Sequence, residues 1–161
     1  MEAGLCREKL GALMAQETHL LEELSRLLEK EHEYLVASEV VSLEEASRAR
    51  QRCVARILAL DEERRVLCLA SGRTHDAKGV QELLRWCDPQ GTLAAVWAKC
   101  LAVAASCRKL NDRNGALVGA RLKHVQERLG VLIESRRETV TYGARGAHAT
   151  GGSGRVLATK A

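Results

Sequence analysis

The chain has 161 residues, of which 46% are hydrophobic and only 2% aromatic, with no phenylalanine and a single proline. A hydrophobic core with this composition favours closely packed helices, because sheets are enriched in aromatic residues and long helices exclude proline. No apolar run approaches the roughly 20 residues that span a membrane, and no signal peptide opens the sequence. We therefore expect one soluble, cytoplasmic, all-α domain.

The net charge of +4 conceals an asymmetry along the chain. Residues 1–45 carry four Lys/Arg and eleven Asp/Glu, whereas the remainder is strongly basic. No basic cluster is interleaved with aromatic residues that could stack on bases. We interpret the asymmetry as an acidic first helix lying beside a basic last helix, and we predict no nucleic-acid partner.

The first predicted helix runs from Leu5 to about Ala37. Its leucines recur at helical spacing between many Glu, Lys and Arg residues, which predicts an amphipathic helix about 50 Å long. Glu17 and Glu31 interrupt the apolar stripe, so we expect loose packing at these two levels.

The second predicted helix begins at Ser42, which forms a capping-box pattern with Glu45. It ends near Ser71–Gly72, where glycine can adopt the left-handed conformation of a helix cap. Because the link is short, we expect the first two helices to form an antiparallel hairpin. Its inward-facing positions are Leu43, Ala46, Cys53, Ile57, Leu60 and Leu67.

A short connector helix is predicted from Ala77 to Trp86, and Thr92 is predicted to cap a long last helix that reaches about Thr139. The predicted fold is an all-α antiparallel helical bundle of three long helices and one short connector helix, spanning residues 1–140. Residues 141–161 are rich in Gly, Ala and Thr and contain no acidic residue. They are predicted to form a flexible, disordered tail.

The long last helix contains two asparagines at positions that should face the core. Asn114–Gly115 is a turn signal, but the alternating four- and three-residue apolar spacing continues through it, which predicts helix interior. Asn111 and Asn114 would then lie on the buried seam. Buried asparagines can fix helix register and partner number, or they can mark the point where the bundle stops covering the helix.

The sequence offers no catalytic constellation and no cofactor or metal site. The six cysteines lack a CxxC pair, and Cys100 and Cys107 are expected to act as small apolar residues on one helix face. Glu29 and His32 match one Glu-x-x-His motif, but a di-iron bundle needs two such motifs and further carboxylates. We therefore expect a protein that is not an enzyme.

The last helix is predicted to be longer than the first, which would leave roughly 20 Å or more of apolar stripe without a partner inside the bundle. An exposed stripe of this size is usually a binding site for a partner helix. The predicted client-binding residues are Asn111, Asn114, Leu117, Val118, Leu122, Val125, Leu129 and Leu132. The alternative is a coiled-coil scaffold or adaptor protein that homodimerises through this helix.

The second half of the chain resembles the FlgN family of flagellar type III export chaperones. The resemblance covers Leu83 to Gly146. It comprises a Leu-Leu helix, a Pro/Gly break, the Asn111-Asp-Arg-Asn114-Gly115 segment followed by Leu117-Val118, and a Thr141-Tyr142-Gly143 tail with a further Gly146.

This resemblance implies a cytoplasmic chaperone without enzyme activity or cofactor. Its clients would be the flagellar hook–filament junction proteins, whose C-terminal helical segments it would bind to prevent premature assembly. The tail around Tyr142 and Gly143 would dock on the cytoplasmic domain of the export gate. We expect no direct membrane insertion, because no apolar run is long enough to span a membrane.

Overall fold

A computed structural model of the chain describes the backbone of residues 2–146 and the side chains of residues 2–134. Over this range the chain forms helices α1 (Ala3–Ala37), α2 (Val40–Ala70), α3 (Ala77–Cys87) and α4 (Thr92–Gly146), and no strand. The predicted all-α fold with three long helices and one short helix is confirmed.

The chain divides into two compact units, Met1–Val118 and Gly119–Ala161, and α4 contributes residues to both. The last helix was predicted to end near Thr139 but continues to Gly146. It therefore includes the first residues of the predicted tail at 141–161. Residues 147–161 lie outside the described residues, and the tail as a flexible segment stays a prediction.

Helices α1 and α2 are joined by only two residues. Ser38 adopts the left-handed conformation with φ 62°, and the amides of Ser38 and Glu39 donate to the carbonyls of Leu35 and Tyr34, which closes the end of α1. The predicted capping box is wrong, because the chain reverses so early that Ser42 already lies inside the first turn of α2.

The first two helices run antiparallel, as predicted. The Cys53 thiol on α2 donates to the Leu20 carbonyl on α1 at 3.3 Å, and Arg50 pairs with Glu31 farther towards the turn at 2.8 Å. Of the predicted inward residues on α2, Ala46, Cys53, Leu60 and Leu67 are buried and Leu43 and Ile57 are partly buried.

Helix α3 begins at a side-chain cap and packs through a compact apolar face. The Asp76 carboxylate accepts from the Gly79 amide at 2.8 Å, which satisfies one of the unpaired amides at the helix start. A Cβ at Gly79 would lie 1.9 Å from the Thr74 carbonyl oxygen, so only glycine allows this close approach. Val80 and Leu83 are completely buried.

Asp88, rather than Thr92, caps the start of α4. The buried Asp88 carboxylate accepts from the Leu93 amide at 2.6 Å and from the Thr92 hydroxyl at 2.9 Å. Arg7 on α1 lies 3.2 Å from the same carboxylate. The prediction that Thr92 is the cap is therefore wrong: Thr92 is the first helical residue and supports the actual cap.

Within the first unit, α4 lies parallel to α1. Lys99 pairs with Glu22 at 2.8 Å, and the Cys107 thiol donates to the Leu21 carbonyl at 3.2 Å. This arrangement agrees with the predicted packing of an acidic first helix against a basic last helix. The main core cluster is Cys6, Leu10, Met14, Leu21, Leu28, Leu67, Cys68, Val80, Leu83, Leu84, Cys87, Trp97, Cys100 and Cys107.

Candidate functional site

Asn114 is the last buried residue of α4 in the part of the chain whose side chains are described. It lies inside the helix, as predicted, and is 5% exposed. Its amide nitrogen donates to the Leu28 carbonyl at 2.8 Å, and its amide oxygen lies 3.1 Å from Nδ1 of His32. Because both groups have partners on α1, Asn114 fixes the register of the two helices.

Asn111 is exposed, so its predicted place on the buried seam is wrong. At this level Arg113 of α4 also pairs with α1, through Glu29 at 2.9 Å, next to the contacts of Asn114. Asn111, about one turn earlier, is exposed and takes no part in these contacts.

Replacing Asn114 with alanine should lower the free energy of unfolding by about 1 to 2 kcal/mol, because the variant loses a buried hydrogen bond and leaves a small void. Chemical denaturation monitored by circular dichroism would measure this. The matched control is Asn111→Ala three residues away, which removes the same side chain from an exposed position and should leave stability unchanged or slightly raised. Equal losses in both variants would contradict the assigned role.

The remaining predicted binding residues of the first unit lie at its end. Leu117 is partly buried, and Val118 is 49% exposed. Together with buried Asn114, they show a change within four residues from a covered to an open helix surface.

The second unit carries a row of large apolar side chains that its own described residues do not cover. We call this row the apolar face. Its members and exposed fractions are Leu122 (58%), Val125 (51%), Leu129 (52%), Leu132 (64%) and Ile133 (59%).

The spacing of the apolar face is that of a helix-binding seam. Leu122, Val125, Leu129 and Leu132 follow one another at three and four residues, so they share one side of the helix. A shallow depression borders this row and is lined by His124, Val125, Glu127, Arg128, Leu129, Val131 and Leu132. The second unit therefore presents the kind of surface onto which an amphipathic helix packs.

Tyr142 and Gly143, predicted to dock on the export gate, belong to the last turns of α4. Their side chains lie outside the described residues.

The first unit also contains a buried charged layer that sequence reasoning missed. Arg64 on α2 lies 3.5 Å from the Glu17 carboxylate on α1, and both side chains are almost completely buried. The Arg64 guanidinium also pairs with Asp61 and stacks over the Trp97 ring on α4 at 4.9 Å. Burial raises the pKa of Glu17, although Arg64 opposes this rise.

The other interrupting carboxylate, Glu31, is hydrogen-bonded to two residues of α2. Its Oε1 accepts from Arg50 at 2.8 Å and from Ser47 at 2.9 Å. The sequence contained one usable signal for Glu17 and Glu31, namely that each interrupts an apolar stripe. A carboxylate inside such a stripe requires a cation from a neighbouring helix. These contacts hold the bundle together and define no reaction centre.

All six cysteines are free and buried in the core. Burial raises the pKa of the thiols of Cys53, Cys68, Cys100 and Cys107. Burial is also the main cause that raises the pKa of Cys87 to about 11. These thiols stay protonated near neutral pH and pack as small apolar groups.

In the part of the chain that the structure describes, no group of three or more His, Cys, Asp or Glu residues is arranged to hold a metal ion. None of the helices there combines the length and the apolar character that a membrane crossing requires.

The described chain is entirely helical apart from its short connections, and its second unit exposes an apolar helix face. The model of the FlgN protein family matches residues 1–150, so the chain belongs to the FlgN family. Membership identifies the general role of a flagellar export chaperone. Neither the curated proteins nor the solved structures that were compared with the chain gave a match.

Proposed function

We propose that this protein acts in the cytoplasm as a chaperone for the flagellar hook–filament junction proteins. It binds their helical C-terminal segments through the apolar face and thereby prevents premature assembly. The observation that carries this proposal is the exposure of five large apolar side chains along one side of a helix. Helices with such a surface commonly pair with an amphipathic partner.

The structure of the first unit narrows the set of residues that can contact a client. Asn114 is buried and already bonded to α1, so we assign it to the bundle. Asn111 and Val118 are exposed and Leu117 is partly buried, so these three remain candidates for the margin of the client site. The strongest candidates are the residues of the apolar face.

In the proposed division of labour, the segment around Tyr142 and Gly143 docks on the cytoplasmic domain of the export gate. A single aromatic residue in a short segment is a common anchor for a weak, reversible contact. Such a contact suits a chaperone that must release its client during export.

Co-expression with the C-terminal segment of a junction protein tests this division of labour. A chain that ends before residue 141 should still hold the client in solution but should fail to support export. Because α4 continues to Gly146, Tyr142→Ala in the full-length chain is the milder companion variant. Co-purification measures binding, and the secreted junction protein measures export. Loss of client binding on truncation would contradict the separation of the two roles.

A further inference from the structure

Charged side chains of the second unit are unevenly distributed around the helix. Between residues 119 and 134 the acidic residues are Glu127 and Glu134. Both project from the side of the helix opposite the apolar face, because at 3.6 residues per turn each lies about half a turn from the seam positions. Arg128 immediately precedes Leu129 and borders the seam. The positions that directly flank the seam are therefore cationic or neutral, although Glu127 also lines the shallow depression beside it.

Arg128 is exposed. It makes no ion pair with any residue in the described part of the chain. It also lines the shallow depression beside Val125, Leu129 and Leu132. A helix seated on the apolar face would bring its own edge residues next to this guanidinium, in the position where paired helices form ion pairs across their seam.

A second copy of this chain fits the face poorly. In an antiparallel pair, the edge that carries Arg128 would meet the same edge of the other copy, and like charges would oppose each other. In a parallel pair, Arg128 would meet the opposite edge, where Gln126 and Ile133 are uncharged. Among the residues whose side chains the structure describes, neither orientation places a carboxylate opposite Arg128, whereas an acidic partner helix does.

We infer that the preferred occupant of the apolar face is an amphipathic helix whose apolar stripe is bordered by acidic residues, with Arg128 selecting for its carboxylates. This inference rests on the proposed function, since it specifies which client helices the face accepts. The apolar seam supplies most of the affinity, and the charged edge supplies discrimination between clients.

Synthetic amphipathic peptides test the inference with the full-length protein. Three peptides share the same leucine seam and carry Glu, Gln or Lys at the edge positions. We expect the Glu peptide to bind about tenfold more tightly than the Lys peptide at low salt, with the difference shrinking as salt rises. Fluorescence anisotropy measures the affinities.

The variant Arg128→Glu should abolish or reverse the preference for the Glu peptide. Lys123→Glu is the matched control, because it makes the same charge change at an exposed position on the side of the helix that is turned away from the seam, and it should keep the preference. Equal affinity for all three peptides would overturn this inference while leaving helix binding intact. Binding of none of them, or a client-free dimer broken by Leu129→Gln, would overturn the inference and the proposed function together.

Discussion

Replacing Leu122, Val125 and Leu129 together with glutamine should weaken client binding by more than about a hundredfold. Each side chain is between 51% and 58% exposed, so each has apolar surface left to bury against a partner. Burying that surface contributes about 1 kcal/mol or more per residue, and about 3 kcal/mol corresponds to a factor above one hundred in Kd. Titration with the C-terminal segment of a junction protein measures the loss.

The first unit offers a matched control for this variant. Leu58, Val66 and Leu69 on α2 are 63%, 53% and 52% exposed. Their joint replacement with glutamine removes a similar amount of exposed apolar surface from a face that the proposal does not use. Client affinity should stay unchanged in this control, and thermal unfolding should show both variants folded. Loss of binding in the control, but not in the test variant, would move the binding site to α2.

Replacing Arg64 with leucine should destabilise the bundle by about 3 kcal/mol. The change leaves the Glu17 carboxylate buried without its cation and removes the stacking on Trp97, and a buried charge without a partner is costly. The pair is already imperfect, since Glu17 Oε2 and Arg64 Nε lack hydrogen-bond partners within the described residues. Urea denaturation at neutral pH measures the loss.

The double variant Glu17→Leu with Arg64→Leu should recover most of this loss, because apolar residues can replace a buried ion pair without great cost. A double variant as unstable as the single variant would show that Arg64 acts mainly through Trp97.

The pH dependence of the stability of the Arg64→Leu variant gives a second test, and the direction of the expected change is defined. The pKa of Glu17 is already raised above its ordinary value of 4.5, chiefly by burial, and loss of Arg64 should raise it further. The folded state then binds the proton more tightly than the unfolded state, so stability rises as pH falls towards 4.5. The double variant should not show this rise in stability, because it lacks the Glu17 carboxyl group.

The helices and their order were predictable because their signals are local. The apolar spacing correctly predicted that α4 continues through Asn114–Gly115, although this dipeptide is typical of turns. Gly72 follows the end of α2 with the expected positive φ of 70°. In both cases, neighbouring residues along the chain contain the information that decides the conformation.

The errors arose where a residue outside the local pattern decides the outcome. Ser42 has the correct local pattern for a cap, but the left-handed Ser38 begins the reversal earlier. Asp88 replaces Thr92 as the cap of α4, and its buried carboxylate is also paired with Arg7 from α1. Asn111 follows the apolar period but is exposed. The apolar periodicity predicts which side of the helix a residue lies on, but it does not predict whether another helix covers that side.

The apolar face was predictable as a pattern, because its leucines and valines keep the spacing of a seam. The ion pairs of Glu17 and Glu31 were not predictable from the sequence. The cations that pair with them come from α2 and meet them only through the antiparallel packing of the two helices.

Site-specific photo-crosslinking tests the central claim most directly, namely that a client helix lies on the apolar face. A benzophenone amino acid is placed at Leu129 in one variant and at Leu69 in another, two leucines that are each 52% exposed. We expect a crosslink to the junction-protein segment from position 129 and none from position 69. Crosslinks of equal yield from both positions, or from position 69 alone, would contradict it.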